Sequence, residues 1–173
     1  MPECFVDTML VQTLVPPKRN TRYNHQHGCF AVSNEMQLHG LKDKFAVGLI
    51  DNDKKKAKYL KEFAEVDTIE GLRLYKHPDC HQYFIEVSPA VETWILKVCQ
   101  TENIDITSLG LPNDITNLKK ITKSSTSSRD RRFVELFSVF LTSGNQSVLT
   151  LKRWITLLKE KNYRVGIKEL RNE

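Results

Sequence analysis

Hydrophobic and polar positions follow two different periods along this chain, and their alternation predicts an α/β protein. The apolar run at residues 45–50, bounded by polar residues, is typical of a buried strand. Near the start of the chain, helical spacing is shown by Leu10, Val11 and Leu14. Strands that alternate with helices indicate a mostly parallel sheet flanked by helices.

Shorter segments complete the predicted sheet. Residues 23–25 predict a short strand, and residues 30–38 and 59–64 predict helices. Polar and apolar side chains alternate at 71–77 and, in part, at 81–87, which predicts an antiparallel hairpin at the edge of the sheet.

Beyond this hairpin the pattern becomes helical. Ser88 followed by Pro89 is a typical helix start, because serine caps a helix and proline fits its first turn. Asn, Thr, Ser and Lys dominate residues 105–128, which indicates a basic loop around one short helix near 117–121. Two amphipathic helices then follow, with a turn at Gly144-Asn145.

Two acidic pairs are the leading candidates for chemistry. Asp51 and Asp53 stand just after the strand at 45–50, where α/β sheets present their ligands. Glu3 and Asp7 flank the start of the first helix, and Glu3 would lie beside Asp51 if the two strand ends are neighbours. Clustered carboxylates favour a cation between them, because they raise one another's pKa. The alternative is an acidic helix start and a solvated turn.

These acids carry a family resemblance. Glu-x-x-x-Asp from Glu3, a Leu-Val-x-x-Leu helix and an apolar strand ending in Asp-x-Asp resemble the TOPRIM domain of topoisomerases, bacterial primases and overcoming-lysogenisation-defect nucleases. The glycine-containing segment 24–32 is similar to the second strand-to-helix turn of small stand-alone TOPRIM-like proteins. The resemblance covers roughly residues 1–100. It departs at Cys4, where many members have glycine, and in the two residues that precede Glu3, which leave room for only a very short first strand.

The resemblance implies a fold and a site. The fold is a TOPRIM-like α/β domain at 1–104, with a basic loop and C-terminal helical extension packed on it at 105–173. Implied roles are metal ligands for Asp51 and Asp53, acid/base or metal-linked glutamate for Glu3, and supporting acid for Asp7, with Mg²⁺ or Mn²⁺ as cofactor. Glu92 and Trp94 also resemble a Glu-x-Trp helix of some small TOPRIM-like proteins, although a core tryptophan and a solvated or capping glutamate explain them equally well.

Basic residues follow the acids directly. Cations beside a metal site are where a nucleic-acid backbone would be neutralised. The candidates for nucleic-acid binding are Lys54, Lys55, Lys56 and Lys58, then Arg129, Arg131 and Arg132, and with less weight Lys119, Lys120 and Lys123. The alternatives are a solvated lysine face and an ordinary polar loop.

Other chemistries have little support. The four cysteines form no Cys-x-x-Cys pair, so we expect reduced thiols rather than zinc ligands. The sequence has no Gly-x-x-x-x-Gly-Lys-Ser/Thr loop for nucleotide hydrolysis and no Gly-x-Ser-x-Gly elbow. A net charge of +5 is compatible with a phosphate-rich partner. We expect a cytoplasmic protein, since no secretory signal or membrane span is visible.

The function that these observations predict is metal-dependent cleavage of phosphodiester bonds in DNA or RNA. Stand-alone relatives implied by the resemblance work beside an ATPase in bacterial or phage conflict systems, so phage defence with a partner ATPase is expected by analogy. A non-catalytic binding or regulatory module that works with such an ATPase is the alternative. A nucleotidyl-transfer role is a third, and a homo-oligomer is left open.

Overall fold

A computed structural model of the chain describes residues 1–19, 21–38, 40–42, 44–52, 57–124, 127, 130–171 and 173. The architecture is α/β, with a four-stranded mixed sheet flanked by helices, which confirms the predicted class. None of the described helices is long and apolar enough to cross a bilayer.

The sheet has the order β1-β4-β3-β2. Its strands are β1 (Ala46–Asp51), β2 (Ala64–Ile69), β3 (Leu72–Lys76) and β4 (Gln82–Val87). β1 and β4 are parallel, whereas β4 with β3 and β3 with β2 are antiparallel. On the other side of β1, Pro2 forms a parallel bridge to Leu49. Parallel pairing was expected for most of the sheet, but among the described residues it is found around β1 only.

Three details of the predicted sheet were wrong. The hairpin of β3 and β4 forms, but β4 lies inside the sheet with every residue buried, and the edge strand is β2. The predicted helix at 59–64 is a short 3₁₀ helix, Lys58–Glu62, which leads into β2. Residues 23–25 form no strand, because the place beside β1 is taken by Pro2.

Seven α-helices are described. They are α1 (Phe5–Leu14), α2 (Cys29–Gln37), α3 (Val91–Thr101), α4 (Ile115–Thr122), α5 (Arg131–Ser143), α6 (Gln146–Lys161) and α7 (Ile167–Arg171). The turn between α5 and α6 lies at Gly144-Asn145, as predicted. Cys4 caps α1, with its Sγ accepting from the Asp7 backbone N–H at 3.3 Å. One predicted start differs, because α3 begins at Val91 rather than at Ser88.

Two apolar clusters hold the helices to the sheet. The larger one joins residues of the sheet and α1 to the C-terminal helices, as in Val6, Leu49, Phe137 and Leu170. Residues 105–173 therefore share a core with the α/β part. The smaller cluster packs α2 against the other face of the sheet around Phe84. Together these layers leave the carboxyl end of β1 and the start of α1 at one edge of the molecule.

Candidate active site

Glu3 and Asp51, at the two ends of the predicted motif, are brought together by backbone pairing beside β1. The Glu3 backbone N–H donates to the Leu49 carbonyl at 3.1 Å, so Glu3 runs beside the last residues of β1. Asp51 is the final residue of β1. The two strand ends are thus neighbours, at the carboxyl edge where α/β sheets bind their ligands.

Asp51 is fixed by the start of α3. Its Oδ1 accepts a hydrogen bond from the Val91 backbone N–H at 2.8 Å, which satisfies a donor in the first turn of that helix. The same contact brings in the next residue, Glu92, which is only 6% exposed. Glu92 Oε1 accepts from Thr122 Oγ1 at 2.5 Å, so α4 also supports the site.

A cavity of about 550 Å³ opens between these elements. Three carboxylates, two lysines, two histidines and one phenylalanine are among the side chains that line it, namely Glu3, Asp51, Glu92, Lys119, Lys123, His25, His27 and Phe5. Lys119 is half-buried and Lys123 is exposed. The cavity therefore combines three carboxyl groups with two cationic side chains.

Asp7 lies behind the wall of this cavity rather than in its lining. Its side chain points into the protein from the first turn of α1 and is 1% exposed. Neither of its carboxyl oxygens makes a hydrogen bond of ordinary geometry within the described part of the chain. The side chain of Cys4 is close enough to lower its pKa, which partly offsets the effect of burial.

Burial and mutual repulsion shift the acids strongly. Burial raises the pKa of Asp51 to about 9, and the charges of Asp7, Glu3 and Glu92 add to the effect. Burial also raises the pKa of Asp7 to about 7, with a contribution from Glu92. Asp51 is therefore protonated at neutral pH, and Asp7 is about half protonated, unless a bound cation displaces these protons.

The donor chemistry fits a hard cation. Glu3, Asp51 and Glu92 offer carboxylate oxygens, the ligands that Mg²⁺ and Mn²⁺ prefer, and the buried carboxyl group of Asp7 lies behind them. Among the described residues, no three His, Cys, Asp or Glu side chains stand in a ready metal-binding group. A complete ligand shell would need small side-chain movements, water ligands or Asp53, which lies outside the described residues.

An aromatic group borders the acids. The ring of His25 stacks on Phe5, with ring centres 4.3 Å apart and planes 11° from parallel. His27 stands edge-on to His25 at 4.8 Å and to Phe5 at 6.0 Å. His25 Nδ1 lies 3.1 Å from Thr8 Oγ1. Burial and the neighbouring His27 lower the pKa of His25, which favours the neutral ring.

Only some of the predicted basic residues are described, and not all of those lie at the cavity. Lys54, Lys55, Lys56 and Arg129 lie outside the described residues. Lys58 and Arg131 are exposed, and neither they nor Arg132 are among the residues that line the cavity. Arg132 is engaged in holding the start of α5, because its guanidinium contacts Asp130 at 2.7 Å and the Gly110 carbonyl at 2.6 Å. Lys119 and Lys123, which had less weight in the sequence, are the described lysines at the cavity.

Glu92 is a functional candidate that was not among the site residues predicted from sequence. Its only signal was the spacing Glu-x-Trp, which a capping or solvated glutamate explains as well. Comparisons of the chain with protein-family models, curated proteins and solved structures found no match. A functional proposal for this chain therefore rests on the chemistry of the acidic cavity.

Proposed function

We propose that this protein is a TOPRIM-like, Mg²⁺- or Mn²⁺-dependent phosphodiesterase that cleaves DNA or RNA. The observation that carries the proposal is the convergence of Glu3, Asp51 and Glu92 on one cavity that also has two lysines. Carboxylates alone would repel a phosphodiester. With a divalent cation bound, the same acids become a phosphate site.

Each acid has a defined part in this proposal. Glu3, Asp51 and Glu92 would hold the cation, which when bound polarises a phosphoryl oxygen and lowers the pKa of water. The Val91 backbone N–H orients Asp51, and Thr122 orients Glu92, so both carboxylates are held in position before a cation binds. Glu3 is 8% exposed and lines the same cavity, which suits a carboxyl group that moves a proton near the scissile bond.

The lysines have the complementary part. Lys119 and Lys123 lie on α4 and just after it, beside the carboxylates, where they would hold the phosphate oxygens that the cation does not contact. Lys54, Lys55 and Lys56 follow Asp51 within five positions in the sequence. In this proposal they neutralise further phosphates along the nucleic-acid backbone. A partner ATPase belongs to the proposal by analogy with TOPRIM-like conflict systems, because the sequence has no P-loop.

Two observations favour the second candidate, a non-catalytic TOPRIM-like module. Asp51 and Glu92 each make a hydrogen bond that stabilises the packing of α3, and the described residues hold no ready three-donor metal group. In such a module the acids would be structural and the cavity would serve a partner. Neither cation binding nor cleavage would then be expected.

A cleavage assay separates the two candidates. Purified protein is incubated with Mn²⁺ or Mg²⁺ and a panel of supercoiled plasmid, single-stranded DNA and tRNA. The enzyme predicts cleavage of at least one substrate and complete loss of cleavage in EDTA. No cleavage of any substrate with either metal, by protein that is folded by circular dichroism, would favour the module.

The two lysines of the cavity give a prediction about binding. Changing Lys119 and Lys123 together to Gln should reduce the slope of log affinity against log salt by roughly 1.4 to 1.8, since each phosphate contact contributes about 0.7 to 0.9. Fluorescence anisotropy with Ca²⁺ in place of Mn²⁺ measures the slope. The matched control is Lys152→Gln, an exposed change on α6 away from the cavity lining. An unchanged slope in the double variant would exclude these lysines as phosphate contacts.

A further inference from the structure

We infer that the substrate presents an unstacked base to the cavity, so that the preferred nucleic acid is single-stranded. The base would stack on the aromatic platform, which we define as Phe5, His25 and His27. This inference rests on the proposed function and names its substrate class. It is carried by the stacked geometry of the platform and by its position in the lining of the acidic cavity.

The rings of the platform are arranged so that a further ring could stack on them. Phe5 and His25 already form a parallel stack, and both rings are half-buried. His27 is exposed and stands nearly perpendicular to them, at 88° to His25 and 81° to Phe5. A base could stack on the exposed ring of His27, and such a contact accepts any base.

The position of the platform relative to the acids is fixed by the backbone. The Gln26 backbone N–H donates to the Pro2 carbonyl at 2.9 Å, and that of Gly28 donates to the Glu3 carbonyl at 2.9 Å. The segment that contains His25 and His27 is therefore held by backbone hydrogen bonds to the segment that contains Glu3. A base on the platform would bring its own phosphate towards Glu3 and Asp51 without a rearrangement of the chain.

The cavity has room for a single base, and a paired base has no free face to offer this surface. The cavity, at about 550 Å³, lies within the range of roughly 300 to 1,000 Å³ for small-ligand pockets. A base inside a duplex shows only its edges in the grooves, because its faces are covered by its neighbours. The aromatic faces therefore select a single strand, a loop or a frayed end.

The test compares three fluorescein-labelled probes of equal length in Ca²⁺ by anisotropy: a single-stranded DNA, the blunt duplex of the same sequence and an abasic single strand. We expect the parent to bind the single strand at least about 10-fold more tightly than either other probe. His27→Ala should remove most of that preference, whereas His27→Trp should retain it. Phe30→Ala, which removes an aromatic side chain that is 51% exposed outside the cavity lining, is the control and should bind like the parent.

The outcomes distinguish this inference from the proposed function. Equal binding of all three probes, or an unaffected His27→Ala protein, would overturn the platform even if cleavage in Mn²⁺ persists. Absence of binding to every probe, together with absence of cleavage, would overturn both. A preference for the single strand that depends on His27 supports the platform even in a protein that does not cleave.

Discussion

Replacing Asp51 by Asn is expected to lower the rate of Mn²⁺-dependent cleavage by about 100- to 10,000-fold without unfolding the protein. Asn keeps an Oδ1 atom that can accept from the Val91 backbone N–H, so the start of α3 stays in place. It removes the negative charge that a cation would need. Initial rates on the cleaved member of the substrate panel, with circular dichroism of both proteins, measure the effect.

The matched control is Asp67→Asn. Asp67 also lies on a strand, but on the edge strand β2, where it is 4.0 Å from Arg153 and outside the cavity lining. This variant should cleave at close to the parental rate.

Binding of nucleic acid by Asp51→Asn should persist, because the loss of a carboxylate from an acidic site does not repel phosphate. Full cleavage by Asp51→Asn would exclude Asp51 from the chemistry.

The second large effect is on stability. Without a bound metal, the free energy of unfolding should fall as the pH rises from about 4 towards 9. Folding raises the pKa of Asp7 from 3.8 to about 7 and that of Asp51 from 3.8 to about 9. Their stabilising contribution is complete below the unfolded pKa and is lost as the pH rises through the folded values. Since one pH unit of unmatched protonation is about 1.4 kcal/mol per group, the expected loss between pH 5 and pH 8 is on the order of 6 kcal/mol.

Urea denaturation in EDTA at pH 5, 6, 7 and 8 measures this loss. Asp51→Asn and Asp7→Asn should each flatten the profile and be more stable than the parent at pH 8, since a group that cannot ionise avoids the repulsion. Asp67→Asn should follow the parental profile. A parent whose stability is constant or rises between pH 5 and pH 8 in EDTA would show that these acids are not held together as described.

Much of the fold was accessible from local pattern. The apolar run at 45–50 required burial on both faces and became β1, and the alternation at 71–77 and 81–87 became a hairpin. β2 was missed because an edge strand has little apolar signal; Val66 is its only buried residue. The place of β4 was missed because strand order depends on pairing between distant segments, and alternation alone does not determine it.

The candidate site was partly predictable. Glu3 and Asp51 could be paired from sequence, since carboxyl ends of neighbouring strands meet at one edge. Glu92 could not, because its place at the cavity depends on how α3 packs against β1 and α4, through Val91 to Asp51 and Thr122 to Glu92. Arg132 looked like a phosphate ligand in a basic run, whereas its guanidinium is engaged with Asp130. Such pairings depend on tertiary contacts that residue type does not reveal.

The central claim is that the acidic cavity binds a divalent cation, and titration calorimetry with Mn²⁺ at pH 7.5 tests it most directly. Measurements in two buffers of different ionisation enthalpy also count the protons released. We predict saturable binding with release of about one proton or more, because the cation displaces protons from Asp51 and Asp7. Binding should be at least about 10-fold weaker in Asp51→Asn and unchanged in Asp67→Asn. Absence of Mn²⁺ binding in the folded parent, or equal binding by Asp51→Asn, would contradict the claim.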